Sequence, residues 1–162
     1  MIFAAFGTAG PFPRLLKRLD ELAEETGMEI VVQTGTTPQT AKHCRMFDYA
    51  PTLKDYFASA SLVIAHAGLG VQLDLLRAGR PFVVVPRLAK YGEHHDDHQP
   101  ETCEILHKKY GVLYFPDTGD LTAELLKNPP PPYPFSEAPL CAFREGIVKV
   151  LLGERPSPGS AG

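Results

Sequence analysis

The chain has 162 residues, a length that suits one domain burying roughly two-thirds of the surface of its unfolded form. Hydrophobic residues make up 44% and charged residues 22%, as in ordinary globular proteins. A formal net charge of −3 excludes a general electrostatic attraction to nucleic acid.

The cysteines and the apolar segments limit where the protein can work. Cys44, Cys103 and Cys141 are an odd number without a CxxC pair, which argues against a disulfide framework and indicates a reducing compartment. No run approaches the ~20 apolar residues of a membrane span, and no basic stretch precedes the first apolar run. We therefore expect a cytoplasmic protein whose membrane contact, if any, is peripheral and made through another chain.

Short apolar runs alternate with helical patterns along most of the chain. The runs are rich in Val, Ile and Phe and predict buried strands, which must be apolar on both faces when helices cover both sides of a parallel sheet. These predicted strands are residues 1–6, 29–33, 62–65, 82–85 and 112–115. The predicted helices between them are residues 13–26, 53–60, 68–78 and 101–110. This alternation predicts an α/β fold, a Rossmann-like open parallel sheet with helices on both faces, over residues 1–127.

The chain changes character after residue 127. Residues 128–134, NPPPPYP, cannot form a helix or a central strand and predict a stiff connector of polyproline type. Residues 135–152 place apolar side chains on one helical face and predict a C-terminal helix, which we expect to contribute to a docking surface for a partner. Residues 153–162 are polar and predict a disordered tail.

The most informative segment is SLVIAHAGLGVQLDLLRAGRPFVVVP, residues 61–86. Its order of strand, glycine turn and helix suits a diphosphate, because Gly68 and Gly70 let a ligand approach the backbone where a helix begins. The glycines alone are also explained by a tight turn. Dinucleotide binding is disfavoured, since a third glycine is missing at Leu73 and no acidic residue ends the next strand. Asp74 lies within reach of a ribose, or is a solvated helix charge.

A polar loop, YGEHHDDHQ at residues 91–99, lies between a predicted strand and a helix. His94 and His98 with Asp96 or Asp97 resemble a transition-metal ligand set. Alternatively the loop binds sugar hydroxyls, an interpretation that its place beside a helix start favours. Asp97 or His98 would also serve as a helix cap, which is compatible with sugar binding.

Two early turns fall on the same carboxyl edge of the predicted sheet. The first, FGTAG, contains Gly7 and Thr8, and the second is the TGTT of residues 34–37. Each turn alone is a weak signal, but both are placed to face a cleft. His66 ends its strand beside Gly68, where it either donates to a phosphate or sugar or is a partly buried structural histidine.

Taken together, FGTAGPFPRLL, QTGTT, IAHAGLGVQLDLLRAGRPFVVVPR and YGEHHDDHQPE resemble the C-terminal-type domain of glycosyltransferase family 28. The likeness covers residues 1–125 and is strongest to short free-standing subunits of bacterial exopolysaccharide enzymes. It extends to the eukaryotic cytosolic subunit that helps to add the second N-acetylglucosamine to a dolichol-linked sugar. Such subunits are the donor half of a GT-B fold, and their acceptor half is a separate membrane-anchored protein.

The resemblance implies roles for individual residues. It places the diphosphate at the turn of residues 66–70, the ribose at Asp74 and the donor sugar at Gln99, and it pairs uracil with the backbone around Tyr49 and Ala50. The donor-binding residues expected from the motifs and the resemblance together are Gly7, Thr8, Tyr49, Ala50, His66, Ala67, Gly68, Leu69, Gly70, Asp74, Glu93, His94, Asp97, His98 and Gln99.

The function expected from these features is that of the donor-binding subunit of an inverting glycosyltransferase. It would use a UDP-sugar and a lipid-linked or polysaccharide acceptor, need no cofactor or metal, and act with a membrane-anchored partner that supplies the general base. The alternative is a non-catalytic nucleotide-sugar-binding or scaffolding subunit that activates its partner. A UDP-sugar epimerase is disfavoured, because it would need a second domain.

Overall fold

The computed structural model describes residues 1–95 and 98–136. It contains a parallel sheet of β1 (Ile2–Ala5), β2 (Ile30–Gln33), β3 (Arg45–Phe47), β4 (Leu62–His66) and β5 (Phe82–Val85). The helices are α1 (Pro13–Thr26), α2 (Lys54–Ser59), α3 (Leu69–Ala78), α4 (His98–Tyr110) and α5 (Ala123–Lys127). The strand order is β3-β2-β1-β4-β5, so the predicted open α/β sheet is confirmed.

Alternate residues of the strands feed two separate cores, because successive side chains of a strand point to opposite faces. Ile2 and Ala4 pack with the buried side of α1 and with α5 on one face. Phe3 and Ala5 pack with α2, α3 and α4 on the other face. Both faces of β1 are therefore covered, which explains why all four of its residues are buried.

Glycines and prolines set the helix ends much as the sequence predicts. Pro13 occupies the first turn of α1, and Gly27 ends this helix in the left-handed conformation. Gly79 ends α3 in the same way. Residues with a side chain rarely adopt this conformation, so these glycines stop the helices at defined places.

Several predicted boundaries were wrong. The strand expected at residues 112–115 is reduced to one bridge between Val84 and Tyr114, whereas β3 and the short helix α5 were not predicted. Helix α4 begins at His98 rather than at residue 101. The connector at residues 129–134 forms neither helix nor strand. In the predicted C-terminal helix only Phe135 and Ser136 are described, and both are non-helical; residues 137–152 and the tail lie outside the described residues.

Candidate functional site

The carboxyl ends of β1 and β4 frame a crevice at the centre of the sheet. The chain leaves β1 towards α1 on one face and leaves β4 towards α3 on the other, an arrangement that opens a binding crevice in sheets of this kind. A pocket of about 290 Å³ lies at this edge. It is lined by Gly7, Thr8, Ala9, Gln33, Tyr49, Ala50, Leu53 and His66.

The ring of His66 is held between two glycines at the floor of the crevice. A Cβ atom on Gly7 would lie 2.6 Å from His66 Cε1, and one on Gly68 would lie 2.4 Å from His66 Nε2. A Cβ atom cannot approach a ring atom this closely, and the two contacts come from different loops. Gly68 therefore has a packing reason to be glycine that is independent of any ligand.

The protonation state of His66 follows from its surroundings. Burial lowers the pKa of His66 to about 4, the hydrogen bond to the Ala5 carbonyl opposes this shift, and the charge of Arg87 adds a smaller lowering effect, so the ring is neutral at pH 7. Its Nδ1 lies 3.2 Å from the Ala5 oxygen, which can only accept. Nδ1 hence carries the proton, and Nε2 is an acceptor. The ring would donate from Nε2 to a phosphate only after taking up a second proton.

The first turn of α3 presents backbone N–H groups at the rim of the crevice. Gly68 is the N-cap residue with extended dihedral angles, and no side chain caps the helix. Leu69 and Gly70 are exposed, and a Cβ atom on Gly70 would meet nothing within 4 Å. Gly70 also has no positive φ. Neither packing nor backbone conformation requires glycine there, whereas an anion approaching the helix start would benefit from its small size.

The loop after β1 is fixed by Gln33, a residue that sequence reasoning missed. Gln33 Oε1 accepts from the Gly7 N–H at 2.9 Å, and its Nε2 donates to the oxygens of Gly7 and Asp48. The Asp48 contact connects the loop to the segment that carries Tyr49 and Ala50. A polar residue ending an otherwise apolar strand was the available signal.

Two of the expected nucleoside-binding positions lie at different places relative to the pocket. The side chain of Tyr49 is at the pocket mouth and is 67% exposed, while its N–H donates to Asp48 Oδ1 at 2.8 Å. Asp74 is exposed on α3, 3.5 Å from Arg77, and does not line the pocket. Their expected roles towards uracil and ribose stay predictions.

Glu93 and Gln99, expected to bind sugar, are buried and bonded to the segment after β5. Glu93 Oε1 accepts from Arg14 Nε at 2.8 Å and its Oε2 from the Leu88 N–H at 3.1 Å. Gln99 Oε1 accepts from the Arg87 N–H at 2.9 Å. Both side chains thus hold the polar loop against the sheet edge in this structure. Asp97, expected beside them, lies outside the described residues.

His94, His95 and His98 form what we call the histidine cluster. Their ligand nitrogens all lie within 4.8 Å of one another, and the ring centroids of His94 and His98 are 4.6 Å apart. Imidazoles are common zinc ligands, so within the described part of the chain this cluster is a group able to hold a metal ion. His95 was not among the expected ligands, and the alternatives of metal and sugar binding both stay open.

Two further observations concern the molecule outside the crevice. A second cavity of about 360 Å³ is lined by Leu76, Arg77, Gly79, Tyr133 and Phe135, at the C-terminal end of α3 and away from the crevice. Among the helices of residues 1–95 and 98–136, none has the length and apolar character to cross a membrane.

Comparison with curated proteins shows partial matches. The chain is 40% identical over 72 residues to the UDP-N-acetylglucosamine transferase subunit ALG13 of Yarrowia lipolytica (strain CLIB 122 / E 150), spanning 44% of this chain and 35% of that protein. It is 36% identical over 69 residues to the Homo sapiens subunit of the same name, spanning 43% of this chain and 6% of that protein. The matches thus cover about a third or less of these relatives.

Solved structures share the fold. The solution NMR structure of ALG13 is similar with a TM-score of 0.56 at 20% identity, covering 93% of this chain and 96% of that chain. The crystal structure of Acinetobacter baumannii MurG is similar with a TM-score of 0.54 at 19% identity, covering 76% of this chain and 38% of that chain. The sheet and its helices match the Rossmann-like C-terminal domains of GT-B glycosyltransferases.

The family assignment rests on a match over most of the chain. Residues 9–128 match the model of the glycosyltransferase family 28 C-terminal domain. The matched range includes most of the sheet, the turn after β4 and the polar loop before α4. The chain therefore belongs to the glycosyltransferase family 28 C-terminal domain family.

Proposed function

We propose that the chain binds a UDP-sugar in the crevice between β1 and β4 and is the donor-binding subunit of an inverting glycosyltransferase. One observation carries the proposal. Two glycine loops from neighbouring strands close on His66 directly beside the uncapped, exposed start of α3. This geometry suits an anionic group bound through backbone N–H groups, as a diphosphate would be.

The names of the relatives support the choice of donor. The matched proteins from Yarrowia lipolytica and Homo sapiens are both UDP-N-acetylglucosamine transferase subunits. In our proposal the uracil contacts the backbone of Tyr49 and Ala50, the ribose contacts Asp74, and the sugar contacts the polar loop at Gln99. The identity of the sugar is not part of the proposal.

The chemical contribution of this chain would be to stabilise the leaving group. Negative charge develops on the leaving UDP as the bond to the anomeric carbon breaks. The first-turn N–H groups of α3 and the dipole of that helix are oriented to stabilise this charge without a metal ion. Inversion then requires a base that deprotonates the acceptor from the opposite side of the cleft. We propose that this base belongs to a membrane-anchored partner, which also binds a lipid-linked or polysaccharide acceptor and holds this cytoplasmic chain at the inner face of the membrane.

Calorimetry on the purified chain tests donor binding directly. We expect saturable binding of UDP and of a UDP-sugar, with ADP as the control nucleotide that shares the diphosphate but carries another base. Binding of UDP and not ADP supports a uridine site. Absence of binding to UDP, to UDP-sugars and to ADP would contradict the proposal.

A second assay separates the catalytic subunit from a scaffolding subunit. Sugar transfer is measured with this chain, with the product of a neighbouring gene, and with both together. A variant that cannot bind UDP should abolish transfer by the mixture if this chain presents the donor. Full transfer by the mixture with such a variant would favour the scaffolding function instead.

A further inference from the structure

Arg87 is a fully buried cation directly behind the loop that follows β1. It is 0% exposed and lies just past the carboxyl end of β5. Its Nη2 donates to the Phe6 oxygen at 2.9 Å and to the Gly10 oxygen at 2.8 Å. Its Cζ lies 4.9 Å from the centre of the Phe12 ring. The guanidinium thus holds both ends of the loop whose Gly7, Thr8 and Ala9 line the crevice.

Among the residues that the structure describes, the positive charge of Arg87 has no carboxylate partner that is not already paired with another cation. Burial lowers its pKa to about 10, against the opposing effect of Glu93, so the group is charged at neutral pH. Glu93 is itself paired with Arg14 at 2.8 Å. These three side chains therefore carry a net charge of +1. Among the described residues, Nε and Nη1 of Arg87 have no hydrogen-bond partner.

A buried charge without a full counter-charge is costly. Even a buried ion pair often stabilises a fold no more than hydrophobic residues of similar volume would. The cost is offset where a bound ligand supplies the missing negative charge in a low-dielectric crevice, where such interactions are strong. The charge of Arg87 also acts at the crevice floor, where it contributes, less than burial does, to the lowered pKa of His66. The two carbonyl contacts also turn the loop oxygens inward, away from an incoming anion.

We propose that Arg87 makes this crevice selective for a diphosphate over a monophosphate or an uncharged nucleoside. It acts as a positioning residue, through its charge and its hold on residues 7–10, without touching the ligand. The inference rests on the proposed function, because it assumes that the crevice is the nucleotide site. It adds a determinant of how much negative charge the ligand carries, whereas the start of α3 favours anions in general.

The test compares charge-removing and charge-keeping variants on ligands of increasing charge. Arg87→Gln retains an amide donor for the loop oxygens and loses the charge. Arg87→Lys retains the charge and loses the planar guanidinium group. Affinities for uridine, UMP, UDP and inorganic pyrophosphate are measured by calorimetry on the full chain. Thermal denaturation and an amide NMR spectrum establish that each variant is folded.

We expect Arg87→Gln to weaken UDP and pyrophosphate binding about tenfold or more and uridine binding less than about twofold. Arg87→Lys should keep UDP affinity within about threefold. The NMR-measured pKa of His66 should rise in the glutamine variant and not in the lysine variant, because both variants lose the guanidinium but only the lysine variant keeps the charge.

Three outcomes would overturn the inference. Equal loss of uridine and UDP affinity in Arg87→Gln would mean that the side chain only supports the loop. A folded Arg87→Lys that no longer prefers UDP to uridine would exclude charge as the determinant, and this variant alone decides the matter if the glutamine variant does not fold. Wild-type affinity of Arg87→Gln for UDP would refute it as well.

The pyrophosphate measurement separates this inference from the proposed function. If the wild-type chain binds pyrophosphate but not UDP, the uridine site is wrong while the role of Arg87 is still measured on pyrophosphate. If the wild-type chain binds UDP and the variants behave alike, the site stands and the role of Arg87 is wrong. If the wild-type chain binds neither, both proposals fail.

Discussion

Replacing Gly70 by alanine should make the fold more stable and the nucleotide site weaker. Gly70 lies in the first turn of α3 with ordinary helical φ, and a Cβ atom there meets nothing within 4 Å. Alanine is favoured over glycine in helices by up to about 1 kcal/mol, which corresponds to a rise in Tm of about 2–4 °C for a domain of this size. The same methyl group would keep a phosphate away from the N–H groups of the turn. Loss of one charge-assisted hydrogen bond, worth about 1.5–3 kcal/mol, lowers UDP affinity about tenfold to a hundredfold.

Gly68→Ala is the matched comparison, because it lies two residues away and has a different constraint. Its Cβ atom would lie 2.4 Å from His66 Nε2, and the ring cannot retreat towards Gly7. Overpacking of this kind costs about 1–3 kcal/mol, so the Tm should fall. Both variants are assayed by thermal denaturation and by calorimetry with UDP. Wild-type UDP affinity in Gly70→Ala would refute the reasoning, and so would a loss of stability equal to that of Gly68→Ala.

Three further predictions concern pH, thiols and metal. The pKa of His66 is about 4 in the folded chain against an ordinary 6.5. Between pH 4 and pH 6.5 the imidazole is therefore protonated in the unfolded chain and neutral in the folded chain. The free energy of unfolding should therefore fall by up to about 3 kcal/mol as pH drops from 6.5 to 4. Denaturant titrations at several pH values should show a smaller fall in His66→Gln than in the wild-type chain. An equal fall in both proteins would contradict the low pKa of His66. Burial raises the pKa of both the Cys44 and the Cys103 thiols to about 12, so in a Cys141→Ser background native protein should resist alkylation at pH 8, whereas urea-unfolded protein reacts. UDP affinity should be unchanged by EDTA, and loss of binding that zinc or manganese restores would instead place a metal, held by the histidine cluster, in the donor site.

The fold was predictable where burial is uniform along a strand. Strands β1, β2, β4 and β5 are apolar runs whose described residues are almost all buried. Strand β3 has only three residues, begins with the exposed Arg45 and is half buried, so its apolar pattern is too short to recognise. Residues 112–115 showed the opposite failure, because Leu113 is exposed and the segment makes only one bridge. An apolar run indicates burial and does not by itself indicate a strand partner.

The candidate site was predictable only where glycines mark the backbone. The loops around Gly7 and Gly68 and the ring of His66 were expected at the same edge, and the structure brings them together. The bridging role of Gln33 and the loop-holding role of Arg87 depend on residues far away in the chain. Local sequence marks Gln33 as a polar residue at the end of an apolar strand, but it does not give the partners of either side chain, because these contacts arise only when separate segments are placed side by side.

Both edges of the described sheet are poor templates for a further strand. On the β5 side, Val84 exchanges hydrogen bonds with Leu113 and Phe115, and the Tyr133 hydroxyl donates to the Phe82 oxygen. The prolines at residues 129–132 that precede Tyr133 have no N–H to offer a new neighbour. On the other side β3 is short, and its Arg45 is paired with Glu29 at 2.7 Å. Short, charged and proline-flanked edges oppose edge-to-edge aggregation, so the sheet offers a second copy of the chain little backbone with which to pair.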